Sequence, residues 1–184
     1  MKDVRPTSGR VLLALFSALG SMLGPLEGRR FLDLFAGTGR VGMEALERGA
    51  STVFVESLRP RAGAIERALP AERPEGTLVL ALELRRAVPW LLKRGMAFDA
   101  VFADPPYHEG WGAELLGVRN LAELVAPGGV LVAEHSVREE LAPTPAWELL
   151  SRRDYGETRL SFLRPAGATP SSGTAPSPKL SQII

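Results

Sequence analysis

The chain has 184 residues, 45% of them hydrophobic and 23% charged, with a formal net charge of +1 at pH 7. That length supports one well-buried domain and leaves no room for a second of similar size. The absence of cysteine removes disulfides, thiolate zinc sites and cysteine nucleophiles, and two histidines, His108 and His135, are too few for a metal cluster or a supported Ser-His-Asp triad.

In chain order, the first periodic segment is 11–22, where Val11, Leu12, Leu15, Phe16 and Leu19 form a helical stripe that Thr7 or Ser8 can cap. Basic residues ahead of it imitate a secretory leader, but a glycine loop follows within a few residues, so a cytoplasmic amphipathic helix is expected. No segment is long and apolar enough to span a bilayer, and no membrane partner is expected. Residues 30–35 read as a strand, Gly37 and Gly39 as a tight turn, and 40–48 as a helix. Further strands are predicted over 52–55, 77–82, 98–103, 129–134, 148–153 and 159–163, and helices over 60–68, 87–93 and 114–124. Gly128-Gly129 marks the turn into the fifth strand, and Tyr155-Gly156-Glu157 a hairpin between the last two. Strands alternating with helices predict an α/β fold: one doubly wound, Rossmann-like domain with a mostly parallel seven-stranded sheet and an antiparallel last strand. The domain is expected to span 1–164, with 5–24 as an N-terminal helical segment. Residues 165–184, rich in Pro, Ala, Gly, Ser and Thr, are expected to form a disordered tail.

The chemistry is concentrated at Asp104-Pro105-Pro106-Tyr107, directly after the predicted fourth strand. A carboxylate and the Pro105 carbonyl can accept the two N–H groups of a planar exocyclic amine, favouring a tetrahedral nitrogen with a localised lone pair. Pro105 and Pro106 fix φ and remove two donors, which stiffens the loop. Tyr107 can stack on a base taken out of its helix. The bland alternative is a strand end broken by prolines, with Tyr107 on the surface. His108 next to this loop reads as a solvated histidine.

The segment Leu32-Asp33-Leu34-Phe35-Ala36-Gly37-Thr38-Gly39 reads as a nucleoside-cofactor loop, with Phe35, Ala36, Gly37, Thr38 and Gly39 against the ligand and helix N–H groups beside it. Glu56 ends the next strand about 20 residues on, where an acid can accept both ribose hydroxyls. Gly37, Gly39 and Gly42 also spell the dinucleotide pattern G-x-G-x-x-G. Asp33, however, would oppose a pyrophosphate and suits the ammonium and sulfonium end of S-adenosylmethionine. A nicotinamide-binding protein and a purely structural glycine turn are the competing readings.

On these residues the chain resembles the class I S-adenosylmethionine-dependent methyltransferases: 32–39 looks like their motif I and 104–107 like their amino-methylating signature. The segments 5–11, 31–39 and 42–50 are similar, more specifically, to the bacterial RsmD family. Members of that family usually carry an Arg- and Gly-rich hairpin before the Arg5-Pro6-Thr7 segment, where four residues precede Arg5 in this sequence. The resemblance implies transfer of a methyl group from S-adenosyl-L-methionine to N2 of a guanine in small-subunit ribosomal RNA. It implies ribosomal RNA or the small subunit as partner, a cytoplasmic monomer, Asp33 and Asp104 beside the cofactor, and Glu83 at the usual adenine-contacting position. A DNA adenine or cytosine amino-methyltransferase and a degenerate cofactor-binding assembly factor are the alternatives. Nearly all cations are arginine, and Arg5, Arg10, Arg29, Arg30, Arg59, Arg61, Arg85 and Arg86 fall near predicted loops or strand edges. They form either a positive face over the cleft or a scattered solvated surface.

Overall fold

The computed structural model describes residues 8–106, 114–141 and 144–167. Seven strands, β1 (Arg30–Leu34), β2 (Ser51–Val55), β3 (Leu78–Leu80), β4 (Phe98–Ala103), β5 (Val125–Ser136), β6 (Trp147–Tyr155) and β7 (Thr158–Pro165), form one sheet in the order β3-β2-β1-β4-β5-β7-β6. β1 to β5 pair in parallel, and β7 pairs antiparallel with both β5 and β6, so β7 alone runs against the rest. The strand order reverses between β1 and β4, the place where open α/β sheets bind ligands.

Among the described residues four α-helices cover the sheet: α1 (Gly9–Leu23), α2 (Arg40–Glu47), α3 (Arg59–Ala68) and α4 (Leu84–Leu92). Alternation along each strand divides the core into two layers. Phe31, Phe102, Val130, Val132, Leu160 and Phe162 pack on one face against α1 and α2, where Phe54 meets α2 and α3. Leu32, Leu34, Val101, Ala103, Leu131 and Ala133 pack on the other face against α4 and the segment leading into β5. Ser8 caps α1 by accepting the Val11 N–H at 3.3 Å. At the opposite end of the sheet Asp99 ties the chain together, accepting from the Arg29 guanidinium at 3.1 Å and the Arg30 N–H at 2.9 Å.

The helix expected over 114–124 is replaced by two 3-10 turns, Leu115–Gly117 and Leu121–Leu124. Val118 is extended and Asn120 sits at φ 63, a left-handed conformation that no continuous helix accommodates. β5 starts earlier than expected: Phe98 pairs with Val125, then the register shifts before Ala100 meets Val130. The Gly128-Gly129 pair lies inside this irregularity, not ahead of the strand. A side chain at Gly129 would stand 2.8 Å from the Asp99 carbonyl oxygen, so the close approach of β4 requires glycine there. β3 is shorter than expected, and α4 begins at Leu84, upstream of the predicted start. β7 extends to Pro165, and the Ala166 N–H donates to the Ala146 carbonyl at 2.8 Å. The remaining tail, from 168, lies outside the described residues. No helix among the described residues is long and apolar enough to cross a membrane.

Candidate active site

The loop joining β1 to α2 is built from left-handed residues: Phe35 at φ 60, Gly37 at φ 57 and Gly39 at φ 78. For Phe35, which carries a Cβ, that conformation is strained and is held by its surroundings. The Ala36 N–H donates to the Val55 carbonyl at 2.9 Å and the Gly39 N–H to the Ala36 carbonyl at 2.7 Å, tying the loop to β2 and to itself. Thr38 is exposed at its tip.

Asp33, next to last in β1, lies under this loop with 2% of its surface exposed. Its Oδ2 accepts the Gly42 N–H at 2.9 Å. Gly39 offers no side chain to cap α2; Asp33 supplies from the neighbouring strand the acceptor that an N-cap side chain would give. Burial pushes its carboxyl up to about 7, the Gly42 N–H partly opposes this, and Glu56 adds to the rise.

Glu56, at the end of β2, is also buried. It accepts from the Gly37 N–H at 2.9 Å through Oε2 and from the Leu58 N–H at 2.8 Å through Oε1. Glu56 thereby joins the cofactor-type loop to the start of α3, and each oxygen keeps a further lone pair. Glu83 is exposed at the N-cap of α4, without a side-chain capping bond. Its carbonyl accepts from the Arg86 and Ala87 N–H groups, both at 2.9 Å.

Asp104 follows β4 directly. Its Oδ1 is shielded from solvent and has no hydrogen-bond partner among the described residues. Its carboxyl is held well above the usual carboxylate range, first by burial, then by the negative charges of Glu134 and Asp33. Pro105 is buried and Pro106 exposed. Tyr107, expected to stack on the substrate, and His108 lie outside the described residues.

Glu134 was not singled out from sequence. It lies one residue beyond the Ala103–Ala133 pair that joins β4 and β5, with 5% of its surface exposed. Phe31, Phe102 and Val132 share one face of the sheet, so strand alternation puts Asp33, Asp104 and Glu134 on that face, along three adjacent strands. The signal was present: Glu134 is an acid at the end of an apolar strand, as Asp33, Glu56 and Asp104 are. His135 takes the opposite face, accepting from Ser161 Oγ at 2.8 Å through Nε2 while Nδ1 donates to the Ser136 and Glu139 carbonyls. Burial lowers its pKa, partly opposed by the Ser136 and Glu139 carbonyls, and its bond to Ser161 pins β5 to β7.

A buried carboxyl cluster of this kind suits a cation. Neither Asp33 nor Asp104 has its pKa lowered by a guanidinium or ammonium, and among the described residues no group of three His, Asp or Glu is arranged to hold a metal ion. The cluster lies at the reversal point of the sheet, where a cationic ligand would meet Asp33 and Asp104.

The family model described as Conserved hypothetical protein 95 matches residues 1–164. The chain belongs to that family, the RsmD family. Among curated RsmD-family relatives, it is 32% identical over 169 residues to "Putative rRNA methyltransferase YlbH" of Bacillus subtilis, covering 90% of each chain. It is 28% identical over 156 residues to the ribosomal RNA small subunit methyltransferase D of Escherichia coli, covering 84% of this chain and 76% of that one. Among solved structures it resembles the Thermus thermophilus 16S rRNA N2 G1207 methyltransferase RsmC in complex with AdoMet and guanosine. That likeness has a TM-score of 0.60 and 25% identity, covering 89% of this chain and 44% of that one. In this RsmD-family member, the fold is the Rossmann-like methyltransferase fold, with its motif loops at the carboxyl edge of the sheet.

Proposed function

We propose that the chain transfers a methyl group from S-adenosyl-L-methionine to the exocyclic N2 amine of a guanine in small-subunit ribosomal RNA. The observation that carries this reading is the shielded Asp104 Oδ1, which has no hydrogen-bond partner among the described residues, ahead of two prolines at the reversal point of the sheet. A buried acceptor left unpaired is costly unless a ligand completes it. The likeness to the E. coli ribosomal RNA small subunit methyltransferase D and to the T. thermophilus 16S rRNA N2 methyltransferase in complex with AdoMet and guanosine supports the substrate class and the cofactor.

In this reading Asp33, Phe35, Ala36, Gly37, Thr38 and Gly39 border the cofactor, Glu56 presents acceptors to its ribose, and Glu83 stands by its base. When bound, S-adenosylmethionine supplies an electrophilic methyl on a sulfonium and leaves as a neutral thioether. Asp104 accepts one amine N–H and the Pro105 carbonyl accepts the other, which aligns the nitrogen lone pair and costs little reorganisation in a shielded site. Once the nitrogen has gained its methyl it must lose a proton, and the raised proton affinity of Asp104 suits it to receive one. Tyr107 is assigned the stacking role and Pro106 the stiffening of the loop.

The decisive experiment is radiolabelled methyl transfer to small subunits from a strain lacking the gene, set against free ribosomal RNA, transfer RNA and duplex DNA. N2-methylguanosine from ribosomal RNA is expected after nucleoside digestion. Label in N6-methyladenine of duplex DNA, with unlabelled RNA, overturns the reading and assigns a DNA amino-methyltransferase.

A further inference from the structure

Helices are stabilised by acidic residues in their first turn and weakened by basic ones, because the exposed N–H groups there carry partial positive charge. All four α-helices among the described residues break the rule. None of α1 to α4 has an acidic residue in its first turn. Arg10 stands there in α1, Arg40 in α2, Arg59 and Arg61 in α3, and Arg85 and Arg86 in α4.

The topology turns this local cost into a collective feature. Each helix runs against its neighbouring parallel strands, so all four first turns lie at the carboxyl edge of the sheet, around Asp33 and Asp104. A Cβ on Gly9 would stand 3.6 Å from the Arg40 guanidinium, which places the start of α1 beside the start of α2. Elsewhere some arginines are matched by carboxylates, Arg29 with Asp99 at 3.1 Å, Arg48 with Glu44 at 2.7 Å and Arg164 with Glu148 at 2.8 Å, while others, such as Arg67 and Arg152, have no ion pair among the described residues. On the rim Arg85 meets Glu114 at 2.8 Å, whereas Arg10, Arg59, Arg61 and Arg86 make no ion pair with a described residue. A net charge of +1 thus conceals an acidic centre ringed by guanidinium groups.

Centre and rim call for opposite ligands. The buried carboxyls suit a cation, and the proposed cofactor carries no phosphate that would need the arginines. We infer that the rim of Arg10, Arg40, Arg59, Arg61, Arg85 and Arg86 tracks the phosphates of RNA flanking the target nucleotide. The inference rests on the proposed function for its choice of polyanion. Guanidinium forks pair with phosphate oxygens in two-bond geometry and fix register without reading sequence.

The test compares the triple variant Arg59→Gln, Arg61→Gln, Arg86→Gln with a control of equal charge loss at or beyond the opposite ends of α3 and α4, Arg67→Gln, Arg73→Gln, Lys93→Gln. Binding of a small-subunit ribosomal RNA transcript is measured across salt concentrations, alongside methyl transfer, S-adenosylmethionine affinity and thermal melting. The rim variant is expected to bind RNA at least about tenfold more weakly, with a salt slope lower by about 2 to 3. Its cofactor affinity should be unchanged and its melting temperature unchanged or raised, since repulsion at helix starts is relieved. Equal losses in the control, unaltered RNA binding by the rim variant, or no RNA binding by the wild type overturns the inference. RNA binding that depends on the rim without methyl transfer overturns the function alone; methyl transfer with no rim dependence overturns the rim alone.

Discussion

Gly42 and Phe54 are in a contact that no side chain at position 42 can share: a Cβ on Gly42 would lie 2.2 Å from Cε1 of the Phe54 ring. The third glycine of the G-x-G-x-x-G pattern therefore serves the packing of α2 on β2, a role that needs no dinucleotide. Gly42→Ala must displace a fully buried ring, and a loss of about 1–3 kcal/mol in urea-induced unfolding is expected. Phe54→Leu combined with it should cost less than the sum of the two changes. Additive losses would show that the contact is not the cause.

Asp33 makes the ligand-free protein sensitive to pH. It keeps its proton in the folded state up to about 7, whereas the unfolded chain releases it near 3.8. Between these values the unfolded chain binds fewer protons, so this contribution to stability is fully present below about pH 4 and is lost as pH rises toward 7. Asp33→Asn keeps an acceptor for the Gly42 N–H and removes the ionisation. The variant is expected to unfold at higher temperature than the wild type at pH 8, with a flatter profile between pH 4 and 7. Parallel profiles for the two proteins would refute the assignment.

Cofactor binding should release protons for the same reason. A sulfonium and an ammonium brought beside Asp33 favour its ionised form, so titration calorimetry near pH 7 should give a buffer-dependent heat with S-adenosylmethionine. Saturation at 100 times the dissociation constant stabilises the fold by about 2.7 kcal/mol. Saturable binding of NAD with no heat from S-adenosylmethionine would sink the methyltransferase reading.

Much of this was legible in the sequence, and what was missed has specific causes. Strand ends carrying Asp33, Glu56 and Asp104 announced the carboxyl edge, because short apolar runs punctuated by glycine or proline leave few alternatives. The 114–124 segment misled because its leucines fall at helical spacing; Gly117, extended Val118 and left-handed Asn120 outweigh that periodicity. Glu134 escaped because β5 reads as one apolar run, and its nearness to Asp104 follows only from the Ala103–Ala133 register. The arginine rim was visible as residues but not as a surface, since the four helix starts come together only through the sheet topology.

The proposed role of Asp104 separates binding from chemistry. Asp104→Ala should leave cofactor affinity nearly unchanged and slow methyl transfer by roughly 10²-fold or more, as expected for loss of one preorganised contact at the reacting centre. Wild-type turnover by the variant would mean that the loop is structural.

Glu134 supplies the finer test of the same site. Its negative charge, after burial, is the largest influence holding the Asp104 carboxyl above its ordinary range. If Asp104 must be ionised to accept the amine, turnover rises with pH through the pKa of Asp104, and a neighbour that raises this pKa displaces the acidic limb toward higher pH. Glu134→Gln removes the charge while retaining size and hydrogen-bonding capacity. The acidic limb of kcat is expected to move to lower pH, most visibly under single-turnover conditions that isolate the chemical step. Asp104→Asn should abolish the limb, and combining it with Glu134→Gln should produce no further displacement. A limb that stays in place in Glu134→Gln, with cofactor affinity intact, would show that the two carboxyls do not titrate together during the reaction.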